Sequence, residues 1–589
     1  MNITKTLQHW LKQCELAEER GDVITDPELS RQLRDMVRGL EREDAVSDAA
    51  MDEASDAFYR ELHFGTGGLR GILGAGTNRM NVYTVARATA GVASYVLEEK
   101  AGKPAAAIGY DTRKNSFLFA QTAACVLASH GIQVYLYPEA MPTPCLSYAV
   151  RTLGCAVGIM ITASHNPAEY NGYKVYGEDG CQITQGAAEK ILARMEKVDY
   201  FDPVAKRGFG EALESGHIQW IPEEVLTSFL AKVKEQSPER AVGGLFGEEK
   251  GSRCSLPLVY TPLHGTGYQP IVRLLAECGY EAVSVVEDQT VADGIFATCP
   301  SPNPEQPEAF RLAVAEAQKK KAEVILATDP DCDRVAAAVR TSEGHYRILT
   351  GNETGLLLFS YLCKRRKELS AFPRQPVALK TIVTGELAKE VAGEFGITFV
   401  EVLTGFKYIG EQIGILEEAG RAEDFFFGFE DSCGYLSGTY VRDKDGVLGT
   451  FLICEMAAYY NAQGSDLLTE LEKLYARYGY CLDQLHSVTM PGKDGMERMN
   501  QCMETFRALG EKLEVEGDKA CRFEDFSKGL NDLPKAEVLK WTFASGTTAV
   551  LRPSGTEPKM KLYLSVREEN RQEAARKEAA LWAYFKNVF

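Results

Sequence analysis

The sequence predicts an α/β protein of about four domains at ~150 residues each, built on mostly parallel sheets. Two observations carry this. Short apolar runs alternate with helical patterns from about residue 64, the texture of βαβ units. The alternation restarts near residues 257 and 351, in a chain of 589 residues.

The elements follow in order. Residues 1–60 are charged and helical in pattern, an extension expected to pack on the first domain. AAAIGYD (105–111) reads as a strand ending at Asp111-Thr112-Arg113, FLFAQTAACVLASHG (117–131) as a helix closed by glycine, and IQVYLYP (132–138) as a strand. GIMITASHNPAEYNGYKVYG (158–177) opens as a buried strand and continues as a small polar loop. The second round has a strand running into a Gly-rich turn at 257–267 and strands at 280–286 and 323–329, with helices at 268–279 and 309–322. The third has helices at 354–364 and 385–395 around the strand PVALKTIV (376–383). From about residue 470 the chain is more polar, with a helix at 495–513 and strands TAVLRP (548–553) and KLYLSV (561–566). Charged stretches at 245–254 and 363–376 read as surface excursions. The three βα rounds hint at internal duplication, although no fixed short period is present.

Composition narrows the function. Hydrophobic residues make up 45% and the net charge is −18, which argues against a nucleic-acid partner. An anionic ligand would have to be held by a few placed cations. The 15 cysteines form no Cys-x-x-Cys pair, and the eight histidines are dispersed, so zinc and redox motifs lack support. Scattered thiols, an amphipathic N-terminus and the lack of a long apolar run predict a cytoplasmic protein with no membrane partner.

Six loops carry chemistry. The first strand–loop delivers Ser164, His165 and Asn166, with Asn171, Gly172 and Lys174 behind them; ligands in open α/β sheets bind beyond such strand ends. An ordinary Asn-Pro turn would account for the same residues. In ATDPDCDRVAAAV (327–339), Asp329, Asp331 and Asp333 alternate directly after a strand. Three such carboxylates repel one another unless a cation lies between them, and magnesium takes oxygen ligands. A calcium loop of the EF-hand type fails, because its glycine and glutamate positions hold Arg334 and Arg340. In LRPSGTEPKMKLY (551–563), Arg552, Ser554, Gly555, Thr556 and Lys559 have the chemistry of a phosphate cradle. FFFGFEDSCGYLSG (425–438) offers Glu430, Asp431 and Ser432, suited to vicinal hydroxyls, and EVLTGFKYIGE (401–411) groups Thr404, Gly405 and Lys407. HFGTGGLRG (63–71) lacks dinucleotide spacing and a clear preceding strand; its Arg70, in a flexible Gly-rich segment, could meet a phosphate. Together these parts suit phosphoryl transfer on a sugar phosphate, with cations rather than a Ser-His-Asp triad managing charge.

The same residues resemble the α-D-phosphohexomutases. Thr162-Ala163-Ser164-His165-Asn166-Pro167 is similar to their phosphoserine loop, and Asp329-Pro-Asp331-Cys-Asp333-Arg334 to their metal loop. Gly428-Phe429-Glu430-Asp431-Ser432 resembles their sugar loop, and Arg552-Pro-Ser554-Gly555-Thr556-Glu557-Pro558 their phosphate loop. All four stand in the family's order over residues 60–566. Chain length, GTGGLRG, TGFKYIGE and the DPDCDR variant are most similar to the phosphoglucomutase branch that includes bacterial long-chain enzymes.

The resemblance implies three related α/β mixed-sheet domains and a smaller C-terminal α+β domain around a central cleft. The boundaries expected are 61–210, 211–340, 341–460 and 470–589, after the helical extension 1–60. It implies a mutase in which Ser164, as phosphoserine, passes its phosphoryl group to a sugar monophosphate. Mg²⁺ would be held by Asp329, Asp331, Asp333 and the phosphoserine, and glucose 1,6-bisphosphate would be intermediate and activator. Arg70, His165, Lys174 and Lys407 are the candidates near the transfer. Arg334, Thr404, Gly405, Glu430, Ser432, Arg552, Ser554, Gly555 and Thr556 would bind substrate. Three departures stand out: Pro330 and Cys332 replace glycines in the metal loop, Phe406 replaces a histidine found in some members, and Asp431 replaces a common glutamate. Interconversion of glucose 1-phosphate and glucose 6-phosphate by a monomer, or a dimer, is the implied function. Phosphopentomutase, phosphomannomutase, glucose 1,6-bisphosphate synthase, metal-dependent serine phosphatase and a non-catalytic sugar-phosphate-binding protein are the alternatives.

Overall fold

The computed structural model describes residues 3–41, 45–65, 67–100, 102–202, 204–242, 254–490, 492–530, 533–554 and 559–589. Thr66 of the 63–71 segment, Gly555 and Thr556 of the phosphate loop, and nearly all of the 245–254 excursion lie outside them.

The N-terminal region is helical: Ile3–Arg20, Pro27–Leu40 and Ala45–Phe58. Leu7, Trp10, Cys14 and Ala17 are buried at spacings of three and four, one face of a helix. Trp10 packs edge-on to Phe58, Tyr83 and Phe201 at 5.5, 6.1 and 5.1 Å, which fixes the extension to the first α/β unit.

The first sheet contains β1 (Gly68–Ile72), β2 (Ala105–Tyr110), β3 (Gln133–Leu136), β4 (Val157–Ile161), β5 (Tyr170–Gly177) and β6 (Ile218–Trp220), in the order β1-β5-β4-β2-β3-β6. The second contains β7 (Leu258–Thr261), β8 (Val283–Val285), β9 (Val324–Thr328), β10 (Val335–Arg340) and β11 (Tyr346–Ile348), in the order β11-β10-β9-β7-β8. The third contains β12 (Val377–Thr381), β13 (Thr398–Val402), β14 (Phe425–Glu430) and β15 (Gly434–Leu436), in the order β13-β12-β14-β15.

One plan recurs in all three. A central strand (β2, β7, β12) pairs parallel with a second (β3, β8, β13) on one side and a third (β4, β9, β14) on the other. The third then turns back into an antiparallel partner, β5, β10 or β15. This repeated topology is the duplication at which the βα rounds hinted. Parallel pairing predominates across these three sheets, and the antiparallel strands make each of them mixed, as the resemblance implies. The third strands are buried along their whole length, as VGIMI, VILAT and FFFGFE, because sheet and helices cover both faces.

The fourth sheet is antiparallel: β16 (Tyr480–Thr489), β17 (Glu514–Val515), β18 (Asp518–Asp525), β19 (Leu539–Phe543), β20 (Thr548–Pro553) and β21 (Lys559–Glu568), in the order β16-β21-β20-β19-β18-β17. The helices Gly492–Leu509 and Arg571–Lys586 accompany it.

The 63–71 segment needs correction. Gly68–Ile72 is an edge strand rather than a flexible turn, and Arg70 pairs in register with Gly172 of β5. Gly68 has φ +143°, and a Cβ there would stand 1.8 Å from the Tyr173 carbonyl oxygen. Only glycine lets the two backbones approach this closely.

Candidate active site

The three recurrent hairpins bring their loops to one place. β4 leads into Ser164, β9 into Asp329 and β14 into Glu430–Ser432. Each loop holds one non-glycine residue in the left-handed region: Ser164 (φ 52°), Cys332 (φ 49°) and Cys433 (φ 60°). Such conformations are costly and persist where surrounding contacts enforce them.

At the first loop, Arg113 does the enforcing. It donates to the carbonyls of Pro167 (2.8 Å), Tyr170 (3.1 Å), Asn166 (2.5 Å) and Ser164. Its charge is paired with Asp111 at 3.2 Å, both side chains fully buried, and it lies 4.9 Å over the Phe296 ring. The Thr162 hydroxyl accepts the Ser164 N–H at 2.8 Å. The Ser164 hydroxyl thereby points across to the second unit and donates to Asp329 Oδ2 at 2.9 Å, with His165 Nδ1 3.3 Å away.

Asp329, Asp331 and Asp333 are buried, with carboxylate oxygens within 4.8 Å of one another. Lys174 Nζ lies 2.9 Å from Asp331 and 3.5 Å from Asp333; Lys444 Nζ lies 3.0 Å from Asp333. Arg334 stands 3.8 Å from Asp333, 3.9 Å from Asp329 and 3.6 Å from Glu305. Thr143 ties the loop to the first unit through its hydroxyl on Asp331 Oδ2 (3.1 Å) and its N–H on the Asp331 carbonyl (2.9 Å). Burial and the neighbouring carboxylates push Asp329 well above the usual carboxylate range. At Asp331 burial is outweighed by Lys174, and the group lies below it. Burial would lower Lys174, but Asp331 and Asp333 hold it above the ordinary lysine value.

The donor set fits a hard divalent cation. Three carboxylates converge, and Asp331 Oδ1 and Asp333 Oδ1 are buried with no hydrogen-bond partner. Pro330 and Cys332 are accommodated: Cys332 adopts the left-handed conformation, and Pro330 offers its carbonyl to the Thr266 N–H at 2.9 Å.

These groups open onto a cleft of about 420 Å³. Of the residues singled out in the sequence, Arg70, Ser164, His165, Lys174, Asp333, Arg334, Thr404, Gly405, Glu430, Ser432 and Arg552 line it. Arg70 donates to Asn166 Oδ1 at 3.1 Å. Glu430 accepts the Gly405 N–H at 3.2 Å, and burial raises its pKa. Burial and Glu430 push Asp431 up to about 7. The Thr404 hydroxyl and Arg552 Nε are buried without a hydrogen-bond partner. Arg552 donates to the Tyr563 hydroxyl at 3.0 Å. The N–H of Ser554 meets the Lys559 carbonyl at 2.7 Å, closing the base of the phosphate loop. Lys407 is not among the lining residues; it follows Phe406, which is, and its Nζ lies 5.2 Å over the Tyr408 ring.

Several contributors were missed in the sequence. In the sequence Arg113 shows only as the end of a strand. Lys444 belongs to Arg442-Asp443-Lys444-Asp445, a charged run in which Arg442, Asp443 and Asp445 are buried and Lys444 half-buried, before the apolar helix Gly446–Asn461. A charge cluster against so apolar a helix is the signal that could have exposed it. Glu305, Lys561 and Tyr563 complete the wall, and the sequence gives no local sign of them.

Comparisons with known proteins agree with this geometry. Residues 61–201, 242–344 and 350–475 match, in order, the alpha/beta/alpha domains I, II and III described as phosphoglucomutase/phosphomannomutase. The chain is 36% identical over 541 residues to a phosphoglucomutase of Staphylococcus aureus strain USA300, covering 90% of this chain and 94% of the relative. The open form of pp63/parafusin, a phosphoglucomutase from Paramecium, shares the fold with a TM-score of 0.68 at 17% identity, over 90% of this chain and 95% of that one. So does a phosphoglucomutase/phosphomannomutase family protein from Burkholderia thailandensis, with a TM-score of 0.63 at 18% identity over 89% and 97%.

Proposed function

The chain belongs to the phosphoglucomutase/phosphomannomutase family, and on that premise we propose that it is a phosphoglucomutase, interconverting glucose 1-phosphate and glucose 6-phosphate. The observation that carries the reading is the Ser164 hydroxyl on Asp329, in a cleft that also presents Glu430, Ser432 and Arg552.

Ser164 carries the phosphoryl group. A free hydroxyl of the sugar monophosphate attacks the phosphorus in line. The Ser164 Oγ–P bond breaks as the sugar O–P bond forms, and the hydroxyl proton passes to a basic group of the cleft. The product, glucose 1,6-bisphosphate, turns round and returns its other phosphate to Ser164, leaving the isomeric monophosphate. Nothing is oxidised and no water is consumed, and a trace of the bisphosphate primes the enzyme.

Arg70 and Arg334 face the transfer and offset its negative charge. Lys174, held in the charged form by Asp331 and Asp333 and sharing the cleft with Ser164, would give a proton to the leaving Ser164 oxygen. Burial and the charges of Arg334 and Arg70 hold the His165 pKa well below its ordinary value, so a neutral ring stands beside the hydroxyl. Glu430 and Ser432 hold sugar hydroxyls, with Thr404 and Gly405 beside them. Arg552, Ser554, Gly555 and Thr556 hold the phosphate that is not reacting. Asp329, Asp331 and Asp333, with an oxygen of phosphorylated Ser164, are the ligands proposed for Mg²⁺. When bound, that ion supplies positive charge to the transferring phosphoryl oxygens. The enzyme works on small sugar phosphates. Its fifteen unpaired thiols suit the cytoplasm, and no helix among the described residues is long and apolar enough to cross a membrane.

The test is a mutase assay with Mg²⁺ and a trace of glucose 1,6-bisphosphate, offering glucose 1-phosphate, mannose 1-phosphate and ribose 1-phosphate to wild type and to Ser164→Ala. A serine-dependent rate highest on glucose 1-phosphate is expected. A ribose preference would move the chain to the pentomutases, and no serine-dependent rate on any of the three would refute the reading.

A further inference from the structure

The fourth sheet meets the third through a buried ionic node. Lys540 of β19 places Nζ 2.9 Å from Glu386 Oε1 and 2.9 Å from Glu401 Oε1. Lys380 of β12 reaches the same two oxygens at 3.3 and 2.9 Å. Lys389 takes the remaining oxygen of each carboxylate at 2.6 and 2.9 Å. Lys380 and Lys540 are 0% and 3% exposed. Burial opposes the charge of Glu386, yet the lysines bring it down to about 2. Apolar side chains flanking the strands of both sheets, Ile382, Leu403, Phe526 and Val538, share one buried cluster nearby.

The node is wired to the cleft. Lys380 Nζ also donates to the Thr384 carbonyl at 2.8 Å, and the Thr384 hydroxyl accepts the Asp431 N–H at 3.2 Å. Asp431 lies between Glu430 and Ser432, both in the cleft wall. On its other side the Asp431 carbonyl abuts Gly351, where a Cβ would come within 2.0 Å. The loop backbone is therefore held between Gly351 and Thr384, and Thr384 is held by a cluster that the fourth sheet completes.

We propose that Lys540 is a positioning residue for the substrate: through Glu386, Glu401 and Lys380 it fixes Thr384 and with it the 430–432 loop, so that seating of the fourth sheet and recognition of the sugar are coupled. The proposal rests on the reading of that loop as the sugar-binding element. Lys540 itself touches no substrate. Its removal leaves Lys380 and Lys389 against Glu386 and Glu401, a balanced set, so the variant is expected to fold.

The experiment measures kcat and KM for glucose 1-phosphate, at saturating Mg²⁺ and bisphosphate, in wild type, Lys540→Met, Thr384→Val, the double variant and Lys540→Arg. Both single variants are expected to raise KM about fivefold or more with kcat within about twofold. The double variant should be no worse than the weaker single, because both changes cut one chain of contacts. Lys540→Arg should recover part of the loss. An unchanged KM in Lys540→Met with only a lowered thermal midpoint would show mere structural glue and overturn the proposal. So would KM effects that multiply in the double variant. Should Lys540→Met fail to fold, Thr384→Val leaves the ionic node intact and carries the same KM expectation; an unchanged KM there overturns the proposal equally. A wild type that converts no glucose 1-phosphate would sink the functional reading itself, which is distinguishable from an active wild type with indifferent variants.

Discussion

The Ser164 hydroxyl donates to Asp329 Oδ2 at 2.9 Å across 165 residues of chain, joining the loop after β4 to the loop after β9. A serine so placed presents its oxygen beside three converging carboxylates and is surrounded by Arg70, Lys174 and Arg334. Ser164→Ala is expected to lower mutase turnover by about 10⁴-fold or to background. The thermal midpoint should stay close to wild type, because one exchanged hydroxyl is a small term beside so large a core. Turnover and a melting curve on the same preparation check this.

The unpartnered oxygens of Asp331 and Asp333 predict cation-dependent stability independent of turnover. Mg²⁺ at 100 times its dissociation constant should stabilise the wild type by about 2.7 kcal/mol, seen as a raised unfolding midpoint. Asp333→Asn should abolish the Mg²⁺ shift. A shift of equal size in the variant would place the cation elsewhere.

Arg113 is the keystone of the Ser164 loop. Arg113→Met removes donors from four carbonyls and leaves the Asp111 carboxylate buried without its partner. Loss of one member of such a buried pair costs about 3–5 kcal/mol. Denaturant unfolding followed by fluorescence should show that loss, and activity should fall with it because Ser164 is no longer held at φ 52°.

Glu455 predicts a pH effect on stability. It is buried in the helix Gly446–Asn461, accepts from Ser237 and from the Tyr361 hydroxyl (3.0 Å), and faces Glu239 and Arg365. Burial raises its pKa to about 7. The folded state therefore holds a proton that the unfolded chain, with an ordinary glutamate near 4.5, releases. Stability from this group is full below pH ~4.5 and is lost as pH rises through 7, on the order of 3 kcal/mol. Glu455→Gln should flatten that part of the wild-type profile. Parallel profiles for the two proteins between pH 4.5 and 8 would refute the assignment.

Much of the fold was legible because buried parallel strands leave a strong trace. VGIMI, VILA and FFFGF are unbroken apolar runs, and each leads into its loop. Their antiparallel partners left little trace. β5, written YNGYKVYG, carries Asn171, Gly172 and Lys174, whose side chains or bare backbone serve the site, so it read as loop. β1 was hidden because its glycines permit a close strand approach that looks like flexibility in a sequence. In the site, the alternating aspartates were readable, since their mutual repulsion is a local property. Arg113 and Lys444 were not: their meaning lies in partners more than 50 or 100 residues away, Pro167 and Asp333. The reach of Lys540 to the Glu430 loop is likewise a tertiary fact, carried by contacts between two sheets.

The most direct test of the account is the fate of one phosphoryl group. The protein would be incubated with glucose 1,6-bisphosphate and Mg²⁺, freed of small molecules, digested and analysed by peptide mass spectrometry, then challenged with glucose 1-phosphate. The account predicts one phosphoryl group on Ser164, discharged by the monophosphate with formation of the bisphosphate. Conversion of glucose 1-phosphate by protein whose Ser164 never carries phosphate would contradict it.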